Sequence, residues 1–166
     1  MTPSADAFLT HSLQELEQGS AIARILAASI AAVDPGKLVS SQLTRFENIL
    51  KAGDQEIVLE RFQRIFLLSF GKAALPMAER AAAILGPHLT RGFVITKVKD
   101  PVITGRIQGP IEVMIGGHPL PDIRSMTAAN DVLDQLGDLK DNDLVLILLS
   151  GGGSALFSLP AQGIEL

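Results

Sequence analysis

Apolar residues fall into two regimes along this chain. From residue 64 onward they come in short unbroken runs: Ile65–Phe70 (IFLLSF), Gly92–Lys97 (GFVITK), Ile111–Ile115 (IEVMI) and Asp143–Leu149 (DLVLILL). None alternates with polar residues, as a strand with one wet face would, so each predicts a strand buried on both faces. Between them, Lys72–Leu85 and Asp122–Leu136 are long enough and rich enough in Ala, Leu and Met to be helices, with Asp122 placed to favour the N-terminal dipole of the second. Strands separated by helices predict an α/β architecture, a mainly parallel sheet with helices on both faces.

Residues 1–63 read differently. Residues 4–33 are dominated by helix formers, and Gly19-Ser20 divides the stretch, with Ser20 as the expected N-cap of the second helix. Ala21, Ile22, Ile25, Leu26, Ser29 and Ile30 would share one small-residue face suited to close packing. Asp34-Pro35-Gly36 stops that helix. Phe46–Ala52 and Gln55–Glu60 flank Gly53-Asp54 and predict a β-hairpin, with Gly first as a type II′ turn requires. The chain thus divides into 1–63, helices and hairpin, and 64–166, parallel α/β units. The buried strand Asp143–Leu149 leads into Ser150–Ser154 and the sequence stops twelve residues later, so either the last residues form a short covering helix or the helix that normally covers such a strand is missing. The expectation is an incomplete domain whose remainder lies beyond residue 166.

Composition narrows the function. The 166 residues are 47% hydrophobic with mean hydropathy +0.32, and only 19% are charged. Low charge suits buried strands, or surface meant for a further domain or for a second subunit, as in a homodimer. Fourteen basic against eighteen acidic residues give a net charge of −4, which argues against a nucleic-acid partner. No cysteine means no disulfide or thiolate chemistry. With no Trp or Tyr, base-stacking platforms are scarce. The N-terminus has no basic n-region followed by an apolar run, and the longest apolar runs are too short to span a bilayer, so no membrane role is expected and the default location is cytoplasmic.

Candidate chemistry sits where parallel α/β sheets bind ligands, at strand C-terminal ends. In Ser69–Ala74, Gly71 permits close backbone approach and Lys72 falls at the expected start of a helix. A cation there opposes the helix dipole, so it is either a solvated lysine or part of an anion site. A Walker loop is excluded, because Phe66 and Ala73 stand where Gly and Ser/Thr are required. In Gly116–Asp122, two glycines and two prolines build a stiff turn presenting His118 and Asp122. His118 can donate to an anion or act as a base; Asp122 can orient it, hold Mg²⁺, or cap the helix. In Ser150–Leu156, Gly151, Gly152 and Gly153 suit a backbone nest around an oxyanion, with hydroxyls from Ser150 and Ser154. Leu156 defeats both a dinucleotide fingerprint and a nucleophile elbow. His11 and His88 stand alone, and no histidine pair has zinc spacing.

Gly71–Ala74 (GKAA), Gly92–Lys97, Gly117–Asp122 (GHPLPD) and Ser150–Ala155 (SGGGSA), in this order, resemble the glycerate 2-kinase family, sometimes labelled by its MOFRL domain and often named as hydroxypyruvate reductases. Ile115-Gly116 departs from the family's usual acidic-small pair. The resemblance implies a Rossmann-like N-terminal domain, a second C-terminal domain that closes the cleft, and transfer of the ATP γ-phosphate to the 2-hydroxyl of D-glycerate with Mg²⁺. It implies that Lys72 is the essential lysine. Gly71 and Ser150–Ser154 would form the phosphate or substrate loop, with His118 and Asp122 in the neighbouring turn. A catalytic arginine and acidic metal ligands have no counterpart here and would lie beyond residue 166. Two other readings remain: an NAD(P)-dependent hydroxypyruvate reductase, and a non-catalytic anion- or phosphosugar-binding domain.

Overall fold

In the computed structural model, residues 3–98 and 109–166 are described. The chain forms a mixed α/β fold with two sheets. Helices α1 (His11–Gln14), α2 (Gly19–Ala32) and α3 (Pro35–Gln42) come first. A three-stranded antiparallel meander follows, β1 (Leu43–Phe46), β2 (Ile49–Ala52) and β3 (Gln55–Val58). The parallel unit then runs β4 (Arg64–Phe70), α4 (Ala74–Leu85), β5 (Arg91–Thr96), β6 (Ile111–Ile115), α5 (Ile123–Leu136), β7 (Asp143–Leu149) and α6 (Gly153–Leu156).

The expected parallel sheet is present, in the order β6-β5-β4-β7. From β4 the chain steps outward to β5 and β6, then crosses back to place β7 on the other side of β4. That reversal makes the β4/β7 boundary a switch point, where the connections leaving two neighbouring strands diverge and open a crevice. On one face Ile65, Leu67 and Val94 pack under the Ala-rich side of α4, which is itself covered by α3 and the meander through Val39, Leu43, Leu50 and Leu59. On the other face Phe66, Leu68, Phe93 and Ile95 pack against Ala128 and Val132 of α5 and Leu156 of α6. At the sheet edge Ile147 and Leu149 of β7 remain exposed.

Five expectations change. Ser20 is not an N-cap: the helix begins at Gly19, whose α-carbon lies so close to the Leu13 carbonyl that no Cβ fits, and Gln18 is the cap residue. The predicted small-residue face of α2 is not packed, since Ile22, Ile25, Leu26 and Ile30 are exposed and only Gly19 and Ala23 of this helix are buried. Asp34-Pro35-Gly36 ends one helix and starts another, because the Asp34 carboxylate accepts from Lys37 N at 2.9 Å and proline sits at the first helical turn, where its missing N–H costs nothing. The hairpin gains a third strand, β1, joined through a turn in which Glu47 has φ 51°. At the predicted turn Gly53 has φ 57°, the positive value that a type II′ first position needs. Finally, α4 begins at Ala74, so Lys72 lies in the preceding turn and not in the helix.

Candidate functional site

The three glycine-bearing turns meet at the C-terminal ends of the parallel strands. Those after β4 and β7 are stitched together by the main chain. Ser150 N donates to Phe70 O at 3.1 Å and Lys72 N to Gly151 O at 2.9 Å. The Ser150 hydroxyl accepts from Ala73 N at 3.0 Å. Gly71, with φ 121°, passes so close to Ser150 that a Cβ would lie 2.5 Å from its carbonyl oxygen. Only glycine satisfies both the dihedral and the contact. Beneath the turn, the buried Ser69 hydroxyl donates to Ala74 O at 3.0 Å, tying the first residue of α4 back to β4. The Lys72 side chain leaves this pinned turn exposed to solvent.

The three successive glycines have different physical reasons. Gly153 is buried, and a Cβ there would strike Leu149 Cδ1 at 2.5 Å. Gly152 has φ 84° and is the N-cap of α6. Gly151 faces the Lys72 stem, with Cε 3.9 Å from where its Cβ would be. Among the described residues, the N–H groups of Gly151 and Gly152 donate to no protein acceptor. Leu156, where a dinucleotide fingerprint would need glycine, is fully buried against the sheet.

Gly152 is also the meeting point. A Cβ on it would come within 3.0 Å of His118 Cδ2 and Nε2 and 3.3 Å of Lys72 Cγ. The imidazole and the lysine stem therefore lie against the same glycine. Lys72, His118 and Gly151–Ser154, separated by up to 82 positions in sequence, form one cluster.

Asp122 has a different setting. Its carboxylate caps α5, accepting from Arg124 N at 2.9 Å, and pairs with the Arg124 guanidinium at 3.0 and 2.6 Å. The Arg124 side-chain hydrogen bonds hold this carboxyl below the usual aspartate range, against the opposing effect of partial burial. Of the three roles open from sequence, the geometry displays the cap. Sequence reasoning missed Ser125. Its buried hydroxyl accepts from Gly117 N at 2.9 Å and Asp122 N at 3.4 Å. The motif D-x-x-S across the start of α5 was the available signal. His11 pairs with Glu15 on α1 at 3.4 Å and His88 ends the short turn after α4, so neither joins the cluster. Among the described residues no group of three or more His, Asp or Glu side chains could hold a metal ion. Among them, no helix is long and apolar enough to cross a membrane.

Fold and site together define an α/β protein whose glycine turns converge at the switch point of a parallel sheet. The chain belongs to the DUF4147 family, described as a domain of unknown function, whose model matches residues 21–166. It is 37% identical over 145 residues to a D-glycerate 2-kinase from Thermotoga maritima, an alignment covering 86% of this chain and 30% of that protein. The crystal structure of the PH0495 protein of Pyrococcus horikoshii superposes with TM-score 0.72 at 32% identity, over 86% of this chain and 31% of that one. A crystal structure of Thermotoga maritima glycerate kinase superposes with TM-score 0.61 at 34% identity, over 85% and 30% respectively. The chain thus spans about 30% of the length of the relatives it matches.

Proposed function

We propose that this chain is the N-terminal part of an ATP-dependent glycerate 2-kinase and carries that enzyme's anion-binding cluster. The observation that carries the reading is the meeting of Lys72 and His118 against Gly152, beside the main-chain N–H groups of Gly151 and Gly152, which have no acceptor among the described residues. One ammonium, one imidazole and a run of amides match what a phosphoryl group or a glycerate carboxylate needs, namely concentrated positive charge and donors fixed before the ligand arrives.

In the proposed reaction the 2-hydroxyl oxygen of D-glycerate bonds to the γ-phosphorus of ATP, the bond to the β,γ-bridging oxygen breaks, ADP departs, and the hydroxyl proton passes to a base. Phosphoryl transfer is mostly positioning and charge neutralisation. Lys72 opposes the charge on the transferring group or on the substrate carboxylate. The Gly151–Ser154 amides hold anionic oxygens, and His118 donates from beside Gly152, next to the Lys72 stem. Mg²⁺ supplies Lewis-acid neutralisation when bound. Its ligands, the general base and the domain that closes the cleft are assigned to the part of the protein outside these 166 residues. We place the reaction in the cytoplasm, where ATP is available, and expect residues 1–166 alone to be inactive.

The test is to incubate the full-length protein with ATP, Mg²⁺ and D-glycerate and follow phosphorus NMR. A phosphomonoester on C2 is expected. NADH consumption with hydroxypyruvate in the absence of ATP would replace the kinase by a reductase. Tight anion binding with no turnover would replace it by a non-catalytic binding domain.

A further inference from the structure

The His118 turn is built to be rigid, and one buried hydroxyl does most of the fastening. Gly116 N donates to Thr96 O at 3.0 Å, and Gly116 lies so near the Leu156 carbonyl that it has no room for a Cβ. Gly117 is closed upon by the far end of its own turn, with Asp122 Cγ 2.6 Å and Leu120 O 2.7 Å from where a Cβ would be. Across this closed turn stands Ser125, which is 0% exposed. Its hydroxyl accepts from Gly117 N, immediately before His118, and from Asp122 N, four residues after it. At this position of a capping box a longer Glu or Gln is usual and serves only the cap residue. Serine is short enough to leave space for the Gly117 peptide, so one oxygen fastens both ends of the loop.

We infer that Ser125 is a positioning residue for His118. The inference rests on the proposal above that His118 contacts the anion. Ser125 touches no ligand. By holding Gly117 and Asp122 together it fixes where the His118 backbone leaves β6, and therefore where the imidazole sits against Gly152. A catalytic group displaced by a fraction of an ångström loses much of its effect while the fold survives.

The experiment is a double-mutant cycle in the full-length protein, read as kcat/KM for D-glycerate, with Ser125→Ala, Ser125→Thr, His118→Ala and the Ser125→Ala/His118→Ala pair. Ser125→Ala is expected to lower kcat/KM about tenfold. Ser125→Thr, which keeps the hydroxyl, should restore most of the loss. In the His118→Ala background the Ser125→Ala effect should vanish. An equal loss in both backgrounds would mean that Ser125 only supports the fold and would overturn the inference, as would no loss in Ser125→Ala beside a clear loss in His118→Ala. An unchanged His118→Ala would instead remove the underlying reading of His118. Should Ser125→Ala not fold, Ser125→Cys, close in volume but a poor acceptor, carries the same cycle.

Discussion

The main-chain N–H of Lys72 donates to the carbonyl oxygen of Gly151 at 2.9 Å. The lysine turn after β4 and the glycine loop after β7 are therefore one rigid unit, closed by the Ser150 hydroxyl on Ala73 N. Parallel pairing of β4 with β7 sets the register that makes this possible, since Phe70 lies opposite Leu149. Neither turn has this geometry without the other.

Replacing Ser150 by Ala should expose that dependence. Ala73 N loses its partly buried acceptor, at a stability cost of about 1 kcal/mol. Because Lys72 is the next residue back, kcat/KM of the full-length enzyme should fall about tenfold or more, beyond what the loss of stability explains. Thermal melting and steady-state kinetics on the same preparation check this; a stability change with unaltered kcat/KM would contradict it.

Gly152→Ala should be more damaging. The φ of 84° alone costs roughly 1–2 kcal/mol for a residue with a Cβ. The added methyl would also press on His118 and the Lys72 stem at 3.0 and 3.3 Å. Both side chains must move apart, so anion affinity should fall together with turnover. Calorimetric titration with an ATP analogue measures the affinity directly, and retention of wild-type binding would argue against the cluster.

The other end of the sheet supplies a pH prediction. Asp143 pairs with Arg64 through two hydrogen bonds, at 2.9 and 2.5 Å, and its side chain is almost fully buried. The Arg64 hydrogen bonds hold the Asp143 carboxyl below the ordinary aspartate range, helped by Lys140 N and opposed by burial. A folded-state value below the unfolded one means that this stabilisation is fully present above about pH 4, the unfolded-state aspartate range, and drains away as pH falls below it. Asp143→Asn should therefore melt lower than wild type at pH 7, and the gap should close on acidification toward pH 3. A gap that stays constant over that range would contradict this origin.

The strands of the parallel sheet were legible as unbroken runs of apolar residues, but burial on both faces holds only for the central β4 and β5, since β6 and β7 lie at the sheet edges and Ile147 and Leu149 are exposed. Ile111–Ile115 and Asp143–Leu149 match the structure residue for residue. The site was legible in part, since Gly71, Lys72, His118 and the three glycines stand out where strands end. Their convergence was not, because it depends on β7 crossing back beside β4. Helix α3 was hidden because Asp-Pro-Gly reads as a stop, although Asp-Pro is also a cap followed by a first-turn proline. The start of α4 was misplaced because the helix propensity of Lys72-Ala73 yields to their hydrogen bonds with the glycine loop. Ser125 was legible only as the far end of a capping box with Asp122, since its bond to Gly117 N arises only when the His118 turn folds back onto it.

Turnover by a Lys72→Met variant of the full-length enzyme tests the central claim most directly. Methionine keeps an unbranched apolar stem and removes the charge, and the side chain is exposed, so folding should survive. With ATP and D-glycerate, kcat should fall roughly a hundredfold or more, the scale of losing one fixed transition-state donor. Turnover close to wild type would show that Lys72 does not serve the transferring group and would contradict the account.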